Sequence, residues 1–385
     1  MKVLLIGEVY SENLGDPLLC GTVEHLIRQR YPDAEIVNFD MSGMVDAQHL
    51  FGEDGVSYGI RTKWDKLMLY FRVYADKTFG RVFSEDTTRY VALWCSLREV
   101  MRSHHFDLAV FAGGALFMDY FAGSIYLIAE RLAKAGIPTV FHACGMGMLH
   151  ADQKELLNTA LCRNSVVSIS LRDGYDQFLS AFSVGDKAKE TFDTALNCCR
   201  FYPRSAEETA DYGVGLIANE NYFDQQVTLV KMFQNSKLDW KVFTNGASYD
   251  EEFALEILHQ AGLSGEEIAY RMTERPTTAQ ELTETVTQFR NIVSFRMHSQ
   301  IAAASFGIPC YGIAWDRKLQ DFYTKLGFPN NVSETIISLD EIRTCLKKCE
   351  PNIYTQASDQ AKISKEDLYA AMDAAIENHS GGSLL

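Results

Sequence analysis

The sequence has no long apolar run, no paired-cysteine motif and no surplus of basic charge, and each absence removes a class of function. No stretch of the 385 residues approaches the roughly 20 apolar positions of a membrane-spanning helix. The opening MKVLLIG reads as a first β-strand. It lacks the order of basic n-region, apolar h-region and small-residue cleavage site, so no signal peptide is expected. The nine cysteines include no Cys-x-x-Cys: Cys198 and Cys199 are adjacent, and Cys345 and Cys349 are four apart. This odd, irregular set fits reduced thiols in a cytoplasmic protein, and the ligand spacings of a zinc site are missing. Lys and Arg number 36 against 51 Asp and Glu, a net charge of −15. Nucleic acid and anionic membrane surfaces need a basic face, so broad binding to either is excluded, whereas a small basic pocket for an anionic substrate is not. No short-period repeat or low-complexity tract occurs.

What is present is the balance of a globular protein, 47% hydrophobic and 23% charged. The length suggests two domains of roughly 150–200 residues. Strand and helix patterns alternate. Val3–Ile6, Glu35–Phe39, Leu108–Ala112, Thr139–His142 and Val166–Ser170 read as strands of the first half. Gly213–Ala218, Trp240–Thr244, Ile268–Arg271, Ile292–Ser294 and Cys310–Ile313 read as strands of the second. The order predicts an α/β protein of two Rossmann-like domains with mostly parallel sheets and right-handed crossovers. The aperiodic stretch PRSAEETAD sets the expected boundary: 1–204, then 205–360, then a C-terminal helix and tail at 361–385 that can pack back on the first domain. Ligand crevices of such sheets lie beyond the carboxyl ends of the strands, so an interdomain active-site cleft is expected. Residues 60–85 are aromatic and basic and read as a partly helical insertion; an ordinary surface excursion is the plainer alternative to a lid.

Four post-strand segments carry candidate chemistry. In SENLGD, Asn13 and Gly15 form a turn, Asp16 is a plausible N-cap and Pro17 suits the first helical position. Such a start suits an anion, or is simply a tight turn that needs Gly15. In FAGGALF, Gly113 and Gly114 allow close approach of a ligand or a neighbouring strand; the pattern is not G-x-G-x-x-G, and a dinucleotide site is rejected. In SLRDGYDQF, Arg172 can grip a carboxylate or phosphate, or pair with Asp173. The richest segment runs from Ser294 to Phe322. Arg296 and His298 are expected in the turn after a strand, with Ser299 beside them and a helix from Gln300 to Phe306. The next strand ends just before Asp316, Arg317 and Lys318.

Together NLGD, AGGALF, LRD and RMHS-x-IAA-x-S-x-GIP-C-x-x-I-x-W-D-x-K resemble the polysaccharide pyruvyl transferase family, over residue 3 to about 327. The family's usual triple glycine appears here as Ala112-Gly113-Gly114. The resemblance implies a GT-B fold and transfer of a pyruvyl group from phosphoenolpyruvate to two hydroxyls of a sugar as a cyclic ketal, with phosphoenolpyruvate as co-substrate, no other cofactor and no metal. It implies that Arg172, Arg296 and Lys318 hold the donor's carboxylate and phosphate. Histidine, with a pKa near neutrality, suits delivery of a proton to the donor's methylene carbon, and that role is assigned to His298. Asn13, Gly15, Asp16, Gly113, Gly114, Asp173 and Ser299 are expected to bind substrate, and Asp193 in FDTAL also matches a family position. The acceptor is a nucleotide-sugar, a lipid-linked sugar or an oligosaccharide. A lipid-linked acceptor would bring peripheral membrane contact. A nucleotide-sugar-dependent glycosyltransferase of the same fold and a non-catalytic binding protein are the competing readings.

Overall fold

The computed structural model describes residues 1–41 and 87–381, and the 60–85 segment lies outside them. Contacts divide the chain into two units. One comprises Met1–Ser11, Leu19–Phe192 and Ser364–Leu385; the other comprises Glu12–Leu18 and Asp193–Ile363.

In the first unit Val3, Leu4, Leu5 and Ile6 are all fully buried, as expected of a strand covered on both faces of a parallel sheet. This strand, β1 (Lys2–Gly7), lies between β2 (Glu35–Asp40) and β3 (Leu108–Phe117). The sheet continues through β4 (Thr139–Met146), β5 (Val166–Leu171) and β6 (Ala188–Glu190). Every pair is parallel. The order β2-β1-β3-β4-β5-β6 reverses direction at β1, which makes the β1/β3 boundary the topological switch point. Helices α1 (Gly15–Arg30), α2 (Thr87–Ser103), α3 (Asp119–Lys134), α4 (Ala151–Leu161) and α5 (Tyr175–Ala181) alternate with the strands.

Strand β3 does not stop at Ala112. It runs to Phe117, with a register shift against β4 between Gly114 and Phe117. Gly113 and Gly114 have φ of 44° and 82°, a region that side chains with a Cβ avoid. A Cβ on Gly113 would also lie 2.8 Å from the Leu19 side chain of α1. The glycine pair therefore reshapes the strand and admits the helix.

The second unit repeats the plan. Its sheet, all parallel, has the order β11 (Val332–Ser333), β10 (Cys310–Ile313), β9 (Phe289–Ser294), β7 (Ala210–Gly215), β8 (Trp240–Phe243). Helices α6 (Phe223–Gln234), α7 (Ser248–Ala261), α8 (Gly265–Arg271), α9 (Ala279–Thr287), α10 (Met297–Ser305), α11 (Arg317–Lys325) and α12 (Leu339–Cys349) surround it. Its switch point lies between β7 and β9. One expected strand is a helix: Ile268–Arg271 belongs to α8. Ser264 and Glu267 form a reciprocal capping box at its start, a local signal that outweighs the β-like composition of the four residues.

The last helix, α13 (Ile353–Gly381), is longer than the amphipathic pattern around 365–378 indicates. Its earlier part belongs to the second unit, where Asn197 donates to the Ala361 carbonyl at 2.9 Å. From Ser364 it belongs to the first. There Asp367 accepts from Lys189 at 2.7 Å and from Thr191 at 2.6 Å, and Asp373 accepts from Arg30 at 2.7 Å and from the Tyr31 hydroxyl. Burial acts to raise the Asp373 carboxyl, but Arg30 and Tyr31 outweigh it and the group titrates below its ordinary 3.8. Its stabilisation is thus present above that pH and lost as the pH falls through the lowered folded value. Asp373→Ala is expected to cost under about 1 kcal/mol, because the site is partly exposed and solvent-screened. Thermal melts should show wild type and variant separated by about 1–3 °C at neutral pH. The gap from this carboxylate should close as the pH drops well below 3.8.

Candidate functional site

The second unit's switch point carries the richest segment. Gly215 of β7 pairs with Ser294 of β9, and a Cβ on Gly215 would sit 2.3 Å from the Ser294 hydroxyl, so the two strand ends meet closely. Phe295 continues the pairing by donating to the Gly215 carbonyl at 3.2 Å. The chain then turns into α10. Arg296 is the N-cap residue and His298 lies inside the first turn, so the helix starts three residues earlier than the expected Gln300.

A buried network fixes this turn. The Ser294 hydroxyl accepts the Arg296 N–H at 3.0 Å and lies 3.0 Å from the Ser299 hydroxyl, which donates to the Arg296 carbonyl at 2.8 Å. Gln300 donates to the carbonyls of Ser294 and Arg296 at 2.8 and 3.1 Å, and its own carbonyl accepts from the Tyr323 hydroxyl at 2.5 Å. Ser299 is fully buried in this network, which gives it an architectural task at the site. Sequence reasoning missed Gln300 and Tyr323, because nothing in a local pattern marks a side chain that bonds to a turn's carbonyls.

Arg296 is aimed by a residue the sequence reading also missed. Its guanidinium makes a two-pronged pair with the fully buried carboxylate of Asp250, at the start of α7, with contacts of 2.5, 2.7 and 3.1 Å. Asp250 also accepts the Ala218 N–H at 2.7 Å. Burial opposes the arginine's charge, and Asp250 together with the neighbouring Tyr249 phenol more than offsets it, so the guanidinium is held more firmly protonated than an ordinary arginine.

His298 is 92% buried and packs against Gly15. A Cβ on Gly15 would fall 2.2 Å from the imidazole Nδ1. The NLGD glycine is therefore required by the histidine ring. Its segment is strapped onto the unit by Glu12, which accepts from the Ser248 N–H at 3.1 Å and hydroxyl at 2.9 Å, and by the Leu14 N–H, which donates to the Asn245 carbonyl at 2.9 Å. Asn13 donates to Asp16 at 3.0 Å. Helix α1 begins at Gly15, which puts Asp16 in the first turn rather than at the N-cap. Asn13 Oδ1, Thr244 Oγ1 and both amide atoms of Asn245 are buried with no hydrogen-bond partner among the described residues, which adds Asn245 and Thr244 to the polar groups of the site.

Lys318 follows β10, the neighbour of β9. Asp316 caps α11 by accepting the Lys318 N–H at 3.1 Å, and the Lys318 ammonium, about a quarter exposed, is 3.9 Å from the same carboxylate. Asp193 likewise caps a short 3-10 helix, accepting from Ala195 at 2.9 Å.

The remaining candidates belong to the first unit. Arg172 and Asp173, both buried, follow β5 and contact each other at 3.2 Å, the pairing that their adjacency allowed. Asp173 also accepts the Met146 N–H at 2.9 Å, and Gly145 leaves it the room, since a Cβ there would meet the carboxylate at 2.6 Å. Gly113 and Gly114 lie within β3. Among the described residues no three His, Cys, Asp or Glu side chains are grouped to hold a metal ion, and no helix is long and apolar enough to cross a membrane.

The family model for polysaccharide pyruvyl transferase matches residues 13–317, from the asparagine of NLGD to the residue after Asp316. The chain belongs to the polysaccharide pyruvyl transferase family. The match takes in Arg172, Arg296 and His298 and stops one residue short of Lys318. No curated protein sequence matches significantly. Among solved structures, MnaA of S. aureus, a co-structure with UDP, is similar at 10% identity and a TM-score of 0.56, covering 96% of this chain and 94% of its own. The UDP-GlcNAc 2-epimerase of Neisseria meningitidis, bound to UDP-GlcNAc, has 11% identity and a TM-score of 0.51 over 96% and 99%. The spinosyn rhamnosyltransferase SpnG has 12% identity and a TM-score of 0.50 over 98% and 100%. At such identities the likeness establishes the fold: two Rossmann-like domains of the GT-B type. In this pyruvyl transferase family member, the most fully built set of candidate groups is the one beyond β9, with Arg296 aimed by Asp250 and His298 seated on Gly15.

Proposed function

We propose that the protein transfers the pyruvyl group of phosphoenolpyruvate to two hydroxyls of one sugar, in a polysaccharide or its precursor, as a cyclic ketal. The observation that carries the reading is the buried His298, two residues along the chain from an arginine that a buried carboxylate holds in place. An imidazole delivers a proton to the donor's methylene carbon, which becomes a methyl group. The oxocarbenium-like centre this leaves is attacked by a sugar hydroxyl. Phosphate departs and the second hydroxyl closes the ring. The two hydroxyl protons end, in balance, on the new methyl group and on phosphate. Arg296 and Lys318 neutralise the donor's anionic groups, and Arg172 is given the same task, as the LRD resemblance to the family implies.

The test mixes the protein with phosphoenolpyruvate and a panel of nucleotide-linked, lipid-linked and free sugars. Phosphate release together with the mass gain of a pyruvyl ketal is expected. Release of nucleotide from a nucleotide-sugar without consumption of phosphoenolpyruvate would overturn the reading in favour of glycosyl transfer.

Gly15→Ala probes the same centre from the side. An alanine at this helical position would ordinarily favour the helix. Here it displaces the His298 ring, and a shift of about 1 Å in a catalytic group costs on the order of a hundredfold in rate. A hundredfold lower turnover is the expected outcome, with a melting temperature lowered by the overpacking of a buried site, a cost of about 1–3 kcal/mol.

A further inference from the structure

We propose that Trp315 is the stacking platform for the acceptor's pyranose ring; this rests on the pyruvyl-transfer reading and names the acceptor subsite of that centre. Trp315 follows β10 and is 42% exposed. An exposed indole ordinarily swings freely. This one is pinned, because its Nε1–H donates to the Phe295 carbonyl at 3.1 Å, on the residue directly before Arg296. The polar edge of the ring is thus already satisfied, and what remains toward solvent is aromatic surface in a fixed position. A rigid aromatic face binds with little loss of rotamer entropy.

The surroundings distinguish it from Tyr270 and Tyr354. Tyr270 lies beneath the cations Lys241 and Arg271, and Tyr354 packs over Gly307. Trp315 instead leads into Asp316, Arg317 and Lys318, a carboxylate and two cations that can bond to hydroxyls around a ring. Tyr249 is half exposed and its phenol lies beside the Arg296 guanidinium. A pyranose presents this pairing in reverse: an apolar face of axial C–H groups and a rim of hydroxyls. A sugar laid on Trp315 would lie against the turn that carries Arg296, and ketal formation requires its hydroxyls to reach the donor held there.

The experiment is saturation-transfer NMR on the full chain with a panel of methyl pyranosides and, separately, with UDP alone. Titration calorimetry with phosphoenolpyruvate is run on the same samples. Wild type should transfer saturation to the C–H protons of at least one pyranoside. Trp315→Ala should weaken that sugar by about tenfold while phosphoenolpyruvate binds as in wild type. Trp315→Phe, which keeps a ring but loses the pin, should recover part of the loss. Sugar binding unchanged in Trp315→Ala, no pyranoside signal from wild type, or a Trp315-dependent signal from UDP with none from sugars would each overturn the proposal. Failure of wild type to bind phosphoenolpyruvate would instead strike the pyruvyl-transfer reading, and the two failures are therefore separable.

Discussion

Replacing His298 with alanine is expected to lower pyruvyl transfer by about a thousandfold, within the range that a positioned general acid contributes. The affinity for phosphoenolpyruvate should stay within a few-fold, because the cations that hold the donor remain. The split between a lost rate and a kept affinity is the diagnostic. If the histidine only filled space against Gly15, alanine would leave a cavity and turnover would fall no further than stability does. Full activity in His298→Ala would remove the imidazole from the mechanism. Single-turnover mixing with phosphoenolpyruvate separates the two, since it reads proton delivery and donor binding independently.

Asp250→Ala is expected to be the most damaging single change to the second unit. The carboxylate is fully buried and the arginine side chain it pairs with is 18% exposed. Removing one partner of such a pair leaves the other charge without compensation, at a cost of about 3–5 kcal/mol. It also strands the Ala218 N–H, which donates to the same carboxylate. Urea unfolding should show the loss. Adding Arg296→Met to Asp250→Ala should return part of the stability, because the unpaired charge is then gone. A double variant less stable than Asp250→Ala would mean that the guanidinium contributes through other contacts. Asp250→Asn keeps the shape and the acceptor for Ala218 but not the charge. It is expected to lie between wild type and alanine in stability.

Both predictions depend on features that differ in how far the sequence discloses them. The strand–helix alternation, the two parallel sheets and the family were legible, because buried parallel strands write continuous apolar runs such as Val3–Ile6 and because the RMHS and GIP segments keep their order and spacing. Boundaries were less so. Strand β3 ran on through a glycine pair that reads as a stop, and Ile268–Arg271 proved helical because the Ser264–Glu267 capping box sets the backbone there.

The sequence by itself determined the fold class, through periodicity, the candidate status of Arg296 and His298, through residue types placed just after a strand, and the family, through the resemblance of its ordered segments. Only the tertiary structure decided why the NLGD glycine is a glycine, which carboxylate aims Arg296, and that the Trp315 indole is tethered to Phe295. Each is a contact between residues distant in the chain. Side-chain volume, burial and hydrogen-bond geometry come into being only when the folded chain brings those residues together, and no local pattern records them.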